Sequence, residues 1–207
     1  MTTPTVKWIP LDEASLDPNP FVQFERWWEE AVNVVREPET ICLATSDKNG
    51  QPRARMVLLR GRDERGFCFF TNYESAKGHD LEENPKASLL WYVEPLGRQV
   101  RIEGAVEKVS PEESDIYFNS RPRGHQIGAH ASHQSQVIAS RVELQDAVQE
   151  SERRFEGGEV PRPPHWGGYR VIPHFFEFWQ HREDRLHDRV FYSPDSNGGW
   201  NRQRHQP

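Results

Sequence analysis

The apolar residues nearest the N-terminus repeat with the period of a helix. Within residues 21–36 they fall at Phe21, Phe24, Trp28, Ala31, Val32 and Val35. Residues three and four apart lie on one side of a helix, so this spacing predicts an amphipathic helix that ends before Pro38. The proline-rich residues 1–19 are predicted to form an extended arm ahead of one domain that spans residues 20–207.

From residue 41 onward the pattern changes to that of strands. Apolar or alternating runs occupy residues 41–45, 53–60, 67–71, 87–93 and 99–109, and turn sequences such as Asn49-Gly50 separate them. After the third run, Ser75 is placed to cap a short helix that ends at Asn84-Pro85. Short strands at this spacing are typical of an antiparallel barrel.

Helices dominate the next part of the chain. Ser110, Pro111 and two glutamates form a helix start, because serine caps the first turn and acidic groups interact favourably with the helix dipole. Residues 126–131 and 140–155 are predicted to be two further helices, and residues 168–179 and 189–192 return to the strand pattern. The predicted fold class is therefore mostly β with flanking helices, an α+β arrangement.

The composition narrows the classes of function. The 207-residue chain has a net charge of −6 and a mean hydropathy of −0.87, which argues against a nucleic-acid binder because such proteins need a basic surface. It contains no apolar run long enough for a membrane helix, no signal-peptide pattern and no cysteine–histidine spacing typical of a metal site. We therefore expect a cytoplasmic protein with no metal, no nucleic-acid partner and no membrane partner. Seven Trp and eleven Phe in so polar a chain are compatible with an oligomer interface or a flat-ligand pocket.

Basic residues in the first half are candidates for anion binding. Arg55 and Arg60 lie on one predicted strand, and their odd spacing places them on opposite faces. Lys77 lies near the start of the following helix, after Thr71 and Ser75, and a helix dipole, hydroxyl groups and a cation together suit a phosphate. An ordinary solvated face is the alternative on these residues alone.

Two segments of the second half combine basic residues with other polar groups. Tyr117 and Arg121 are predicted to share one helix face, where a hydroxyl and a guanidinium can bind a phosphate together. In a strand, Arg185, His187 and Arg189 would also share one face, where their charges repel each other unless they meet an anion. A helix C-terminus with favourable cations is the alternative for the first pair, and a salt-bridged surface strand is the alternative for the second group.

At these residues the chain resembles the pyridoxamine 5′-phosphate oxidase family. The resemblance runs from Asp17 onward and rests on the collinear segments RMVLLR (55–60), FFTNYESAKG (69–78), RQVRIEG (98–104), ESDIYFNSRPRGHQIGA (113–129), ASHQSQVIASR (131–141), VPRPPHWGGYRV (160–171) and EFWQHREDRLHDRVFY (177–192). It implies an FMN-binding split β-barrel, an antiparallel, Greek-key-like barrel. It also implies a homodimer with FMN at the subunit interface, in which residues from about 160 to 207 complete the active site and the interface.

The resemblance implies a reaction as well. A hydride would pass from the C4′ carbon of pyridoxamine 5′-phosphate, or of pyridoxine 5′-phosphate, to FMN. Hydrolysis of the resulting imine would give pyridoxal 5′-phosphate, and O2 would reoxidise the flavin and form H2O2. The protein would position the substrate and tune the flavin, which carries out the redox chemistry itself.

The residues of the site follow from the same resemblance. FMN would be bound by Arg55, Met56, Val57, Leu58, Leu59, Arg60, Phe70, Thr71, Lys77, Gln99, Gln134, Ser135, Trp179 and Arg189, some of them from the partner subunit. The substrate would be bound by Arg60, Tyr117, Arg121, His125, Arg185, Leu186 and His187. Arg185 and His187 would be the catalytic residues, lying over the pyridine ring on the side opposite the flavin.

Several positions depart from the family pattern. Arg60 replaces a lysine and His125 replaces a serine at the substrate phosphate, while Ala76 replaces an arginine at the FMN phosphate. His130 and His181 replace a tryptophan and a glycine. Two alternatives stay open beside the oxidase: an FMN-dependent oxidase of a different ring, as in the phenazine-pathway branch, and a non-catalytic protein that binds flavin or pyridoxal phosphate.

Overall fold

Six antiparallel strands close into a barrel in the computed structural model, which describes residues 9–207. The strands of the barrel are β1 (Thr40–Ser46), β2 (Pro52–Asp63), β3 (Gly66–Asn72), β4 (Lys86–Val93), β5 (Arg98–Lys108) and β6 (Trp166–Gln180). They are hydrogen-bonded in the order β3-β2-β1-β4-β5-β6, and pairing between β3 and β6 closes the ring. The predicted split barrel with flanking helices is confirmed.

Strand β6 is long enough to serve two parts of the sheet. Its first half, residues 166–171, pairs with β3, and its last five residues pair with β7 (Asp188–Pro194). Strand β5 runs beside most of its length on the other side. A further strand, β8 (Trp200–His205), pairs with β7, so the sheet continues beyond the barrel at this end.

Helix α1 (Pro20–Ala31) closes one end of the barrel with aromatic side chains. Its Trp28 stacks on Trp91 of β4 at 5.7 Å between ring centroids, and its Trp27 meets Phe178 of β6 edge-on at 5.1 Å. Buried rings of this size supply much of the apolar area that stabilises the fold. Helix α2 (Ala76–Glu83) connects β3 to β4, and helices α3 (Pro111–Ser120), α4 (Arg123–Ala131) and α5 (Arg141–Arg154) lie between β5 and β6 along the chain.

The prediction that the first helix extends to residue 36 was wrong, because α1 ends at Ala31. The residues that follow include three valines and an asparagine, which favour a helix less than the residues before them. The Asn33 side chain donates to the carbonyl of Glu29 at 2.8 Å and satisfies an acceptor at the end of the helix. Val32 and Val34 are exposed, whereas Val35 is half-buried and packs against the core without being part of the helix.

Strand β8 was not predicted, because its sequence shows no strand pattern. It is exposed and polar apart from Trp200. Long-range contacts hold it instead: the Arg204 guanidinium pairs with Asp188 and Glu13 at 2.7 Å each, and Arg202 donates to the carbonyl of Leu16 at 2.7 Å. Such pairings depend on tertiary structure and leave no local sequence signal.

The N-terminal segment lies against these last strands. Residues 1–8 of the predicted arm are outside the described residues, while residues 9–19 include a short 3-10 turn at Glu13–Ser15 and bury Leu11 and Leu16. None of the helices within residues 9–207 combines the length and apolar character needed to cross a bilayer.

Candidate active site

A cavity of about 550 Å³ lies outside the barrel wall formed by β2 and β3, facing α3 and α4. This volume is in the range of small-molecule and cofactor sites. Its walls include eleven of the predicted site residues: Met56, Val57, Leu58, Arg60, Phe70, Thr71, Lys77, Tyr117, Arg121, His125 and Gln134. Residues from 56 to 134 in the sequence therefore meet in one place.

Strand β2 contributes residues of both faces to the cavity, because Val57 lines it together with residues of the outer face. Met56, Leu58 and Arg60 share the outer face, whereas Leu59 is buried in the barrel core and is not part of the cavity wall. Arg55 lies behind the cavity: its guanidinium donates to Thr45 at 2.6 Å and lies 3.6 Å from the buried carboxylate of Asp80. Arg55 and Arg60 thus serve different surroundings, as their spacing predicted.

One end of the cavity holds a cation with no acidic partner. Ser75 caps α2, and the ammonium group of Lys77 in the first turn donates to Gln134 at 2.6 Å and to Thr71 at 3.1 Å. Within the described part of the chain, no carboxylate lies within ion-pairing distance of Lys77. Burial, with the nearby charge of Arg55, lowers the pKa of Lys77 to about 8. A partly desolvated cation at a helix N-terminus is well suited to a phosphate group.

The other end of the cavity is basic and aromatic. The Arg121 guanidinium lies 4.5 Å from the centroid of the Trp166 ring, and its Nη1 atom is buried without a hydrogen-bond partner. Burial lowers the pKa of Arg121, while Tyr117 raises it and Arg60 lowers it further, although an arginine this basic stays charged. A buried guanidinium nitrogen without a partner is costly unless a ligand supplies an acceptor.

Tyr117 and Arg121 reach this end of the cavity by different backbone positions. Helix α3 ends at Ser120, and Arg121 is the extended residue that follows it. The prediction that the two side chains share one helix face was therefore wrong in geometry, although both line the cavity. Pro122 after Arg121 disfavours a helical conformation at residue 121, which accounts for the helix end.

Trp166 is a cavity residue that the sequence alone did not identify. Phe70, Tyr117 and Trp166 have nearly parallel rings, with centroids 4.1 Å apart for Phe70 and Tyr117 and 5.6 Å apart for Phe70 and Trp166. Gly168 allows this arrangement, because a Cβ atom there would lie 2.7 Å from the Phe70 ring. The Trp-Gly-Gly sequence at residues 166–168 is a signal for such close packing.

Three predicted flavin residues form a row elsewhere in the sheet. Gln99 of β5 lies opposite Trp179 of β6, which lies opposite Arg189 of β7. Their neighbours on the other face, Val100, Phe178 and Val190, are fully buried in the core. The row therefore lies on the outer face of the sheet, and none of its members lines the cavity.

The predicted catalytic residues lie in a loop, so the prediction of a strand face shared by Arg185, His187 and Arg189 was wrong. Residues 183–185 form a 3-10 turn, and only Arg189 belongs to β7. Asp184 and Arg185 have positive φ values of 54° and 62°, which strand residues do not adopt. Arg185 and Leu186 are exposed, and neither these residues nor His187 lines the cavity.

His187 is held in one tautomer by the backbone. The Arg182 amide donates to its Nδ1 atom at 3.1 Å, so the proton of the neutral ring is on Nε2. The ring lies 4.6 Å from Trp179 and 5.1 Å from His181 between centroids. Burial lowers the pKa of His187, and the charges of His181 and Arg185 lower it further, against the opposing effect of Asp188. The ring is therefore a neutral Nε2–H donor at neutral pH.

Ser135 lies at the N-terminus of α2, and His130 contacts the segment before β6. Ser135 has a positive φ of 75°, and its hydroxyl accepts from the amide of Ala76 at 3.2 Å, which places it at the start of α2 near Lys77. His130 bonds to the carbonyl of Pro161 at 2.7 Å. Within residues 9–207, no cluster of three or more His, Cys, Asp or Glu side chains is arranged to hold a metal ion.

Comparison with known families covers most of the chain. Residues 27–154 match the family model described as pyridoxamine 5′-phosphate oxidase. The chain belongs to the pyridoxamine 5′-phosphate oxidase family. Residues 166–207 match a second model, described as the pyridoxine 5′-phosphate oxidase C-terminal dimerisation region. Membership makes the chain an oxidoreductase with FMN as its cofactor, and both predictions are confirmed.

Individual relatives agree with this family. A pyridoxine/pyridoxamine 5′-phosphate oxidase of Bordetella petrii is 58% identical over 191 residues, which cover 92% of this chain and 90% of the relative. A protein of the same name from Paraburkholderia phymatum is 57% identical over the same coverage. The crystal structure of PhzG from Burkholderia lata in complex with tetrahydrophenazine-1-carboxylic acid matches with a TM-score of 0.89 and 33% identity, covering 97% of this chain and 99% of that one.

The Lys77 end of the cavity combines a cation, hydroxyl groups and a helix N-terminus, which suit the phosphate of FMN. The family resemblance implies an arginine at the neighbouring position 76, where this chain has alanine. Ala76 is exposed at the first position of α2. We expect Ala76→Arg to lower the Kd for FMN about tenfold, because a charge-assisted hydrogen bond to the phosphate is gained. Titration of the apoprotein with FMN, followed by the quenching of flavin fluorescence, measures this. An unchanged Kd would place residue 76 out of reach of the phosphate.

Proposed function

We propose that this protein oxidises pyridoxamine 5′-phosphate, and also pyridoxine 5′-phosphate, to pyridoxal 5′-phosphate in vitamin B6 metabolism, with reduction of O2 to H2O2. The observation that carries this proposal is the buried, unpartnered Nη1 atom of Arg121 in a cavity that also holds Arg60 and Tyr117. Two guanidinium groups and a hydroxyl suit a phosphate dianion. The names of the relatives at 57–58% identity support the same substrate class.

Each residue then has a defined task. Lys77, with Arg55 behind it, binds the FMN phosphate, while Arg121, Arg60, Tyr117 and His125 bind the substrate phosphate. Met56 and Leu58 provide an apolar wall along the flavin. Two separate phosphate sites fix the two molecules relative to each other, which is how positioning contributes to catalysis. When bound, FMN supplies the redox chemistry by accepting a hydride from the substrate and delivering the electrons to O2.

A homodimer completes the site in this proposal. Gln99, Trp179, Arg185, His187 and Arg189 lie outside the cavity of their own subunit, and most of them fall in the segment that matches a dimerisation region. The partner subunit would bring its copies of these residues to the flavin and the pyridine ring. Arg185 would place a positive charge over the substrate, and His187 would donate a hydrogen bond from Nε2.

The phenazine-type oxidase is the second candidate, because the PhzG structure aligns over nearly the whole chain. The ligand named for that structure is a carboxylic acid, which carries one negative charge, whereas a phosphate monoester carries nearly two at pH 7. The pair of Arg60 and Arg121 favours the dianion. The third candidate, a non-catalytic flavin or pyridoxal phosphate carrier, offers no role for the charge of Arg185 or for the Nε2–H donor of His187.

Steady-state kinetics with pyridoxamine 5′-phosphate test the proposal. We expect Arg121→Ala to raise KM about 10- to 100-fold and Tyr117→Phe to raise it less, because each removes a hydrogen bond to a charged group. FMN content should not change. Arg153→Ala is a matched control, since Arg153 pairs with Glu150 on the surface of α5.

Three outcomes separate the candidates. H2O2 and pyridoxal 5′-phosphate formation by the wild type, with a raised KM in Arg121→Ala, supports the proposal. Turnover of tetrahydrophenazine-1-carboxylic acid but not of pyridoxamine 5′-phosphate would favour the phenazine-type oxidase. Bound FMN without H2O2 formation from either compound would favour the carrier.

A further inference from the structure

The outer face of β5, β6 and β7 carries a second row of residues next to Gln99, Trp179 and Arg189. In this row Arg101 of β5 lies opposite Glu177 of β6, which lies opposite Phe191 of β7. Glu177 is only 3% exposed although it points away from the barrel core. A buried carboxylate in such a position needs strong compensating partners.

Glu177 has such a partner on each of its two oxygens. Its Oε1 atom accepts from Nε of Arg189 at 2.6 Å, and its Oε2 atom accepts from Nη2 and Nε of Arg101 at 2.8 and 3.0 Å. Arg101 also pairs with Glu103 in the next row. The carboxylate therefore bridges two arginines, and it holds Arg189 through Nε. The Nη1 atom of Arg189 donates to the carbonyl of Gln206 at 3.1 Å, so Nη2 is the nitrogen left for a ligand.

Aromatic rings cover this ion cluster. The Arg101 guanidinium lies 4.8 Å from the centroid of Phe175, and that of Arg189 lies 5.1 Å from the centroid of Phe191. The two rings meet edge-on at 5.0 Å. Rings on this side restrict the conformations of both arginines and keep water from the carboxylate, which strengthens its pairing.

We propose that Glu177 is a positioning residue for the flavin site, which holds the Arg189 guanidinium in the orientation that binds FMN, while Arg101 balances the second charge of the cluster. This inference rests on the proposed assignment of Arg189 to FMN. An arginine fixed before binding loses less side-chain entropy when FMN arrives. Without Glu177, the Arg189 side chain would become ordered only when FMN binds, and the entropy lost would lower the affinity for FMN.

Glu177→Gln and Glu103→Gln form a matched pair for the test. Both remove one negative charge beside Arg101, but only Glu177 contacts Arg189. We expect Glu177→Gln to raise the Kd for FMN about tenfold, as outer residues that orient a ligand commonly do. Glu103→Gln should leave it unchanged. Fluorescence titration of the full-length apoprotein with FMN measures both values.

A double-mutant cycle with Arg189→Ala separates positioning from general structural damage. If Glu177 acts through Arg189, Glu177→Gln has no further effect on the Kd in the Arg189→Ala background. An equal loss in both backgrounds would overturn the inference, as would an unchanged Kd in Glu177→Gln alone. Should Glu177→Gln fail to fold, Glu177→Asp keeps the charge, shortens the reach to Arg189 and gives the same comparison.

The same cycle tests the positioning role of Glu177 separately from the assignment of Arg189 to the FMN site. If Arg189→Ala leaves the Kd for FMN unchanged, Arg189 does not belong to the flavin site. Both the FMN-binding role of Arg189 and the positioning role of Glu177 are then wrong. If Arg189→Ala weakens FMN and Glu177→Gln does not, the assignment stands and only the positioning role is overturned.

Discussion

Arg185→Ala is expected to lower kcat for pyridoxamine 5′-phosphate by about 100-fold or more, the scale of losing a group that stabilises charge in the transition state. Arg185 is exposed on its loop and makes no contact with the Lys77 end of the cavity, so FMN should stay bound. Alanine suits this test better than glycine, because it keeps the backbone restriction at a residue whose φ is 62°. Turnover and bound flavin absorbance are measured on the same preparation.

Arg182→Ala is the control for this variant. Arg182 belongs to the same loop, and its guanidinium lies 3.7 Å from Asp188 in a partly exposed pair that contributes little. We expect near-normal kcat for it. Loss of flavin from Arg185→Ala would contradict the prediction and would move Arg185 from the substrate side to the cofactor side.

Lys77→Met is expected to raise the Kd for FMN about 10- to 100-fold, because a charge-assisted hydrogen bond to the phosphate is lost. The same change should raise the thermal stability of the apoprotein. In the absence of an anion, the buried ammonium group has only neutral partners, Gln134, Thr71 and Ser75. Lys48→Met is the control, since Lys48 is exposed and weakly paired with Glu83.

The pKa of Lys77 gives this prediction a second measurement. Its value of about 8 in the folded apoprotein lies below the ordinary 10.5. Between these two values the unfolded chain binds more protons than the folded one, so this residue makes the apoprotein more stable as the pH rises. FMN affinity should fall over the same window, because the ammonium group that binds the phosphate loses its proton. Lys77→Met should show neither trend, and an FMN affinity that is flat above pH 8 in the wild type would contradict the role.

Local patterns were enough to predict the barrel, and distant contacts explain most of the errors. The strands around Leu43 and Leu89 alternate clearly because one face of each is buried, whereas β3 around Phe69 is an apolar run buried on both faces. Strand β8 has no such alternation, and besides its pairing with β7 it is held by Arg202 and Arg204, which bind Leu16 and Glu13 almost 200 residues away. A sequence pattern cannot contain that information.

In the candidate site, too, the sequence predicted which residues take part but not how their side chains are arranged. Its residues came from the family resemblance, and eleven of them meet in one cavity. What the resemblance could not give was the state of each side chain: the unpartnered Arg121 nitrogen, the stacking of Trp166 beside it, and the loop geometry of Arg185. These depend on packing and on backbone angles, which emerge only when the chain is folded.

The pairing of β3 with β6 has a consequence for how the protein is made. Phe70 meets Gly168 across this pair, so the cavity wall joins segments almost 100 residues apart. A nascent chain that has not yet released β6 from the ribosome carries β3 and β5 as open sheet edges. Open edges can pair with other chains, and sheets that depend on distant contacts form slowly. The barrel, and with it the cavity, therefore cannot close before residues 166–171 of β6 have been synthesised.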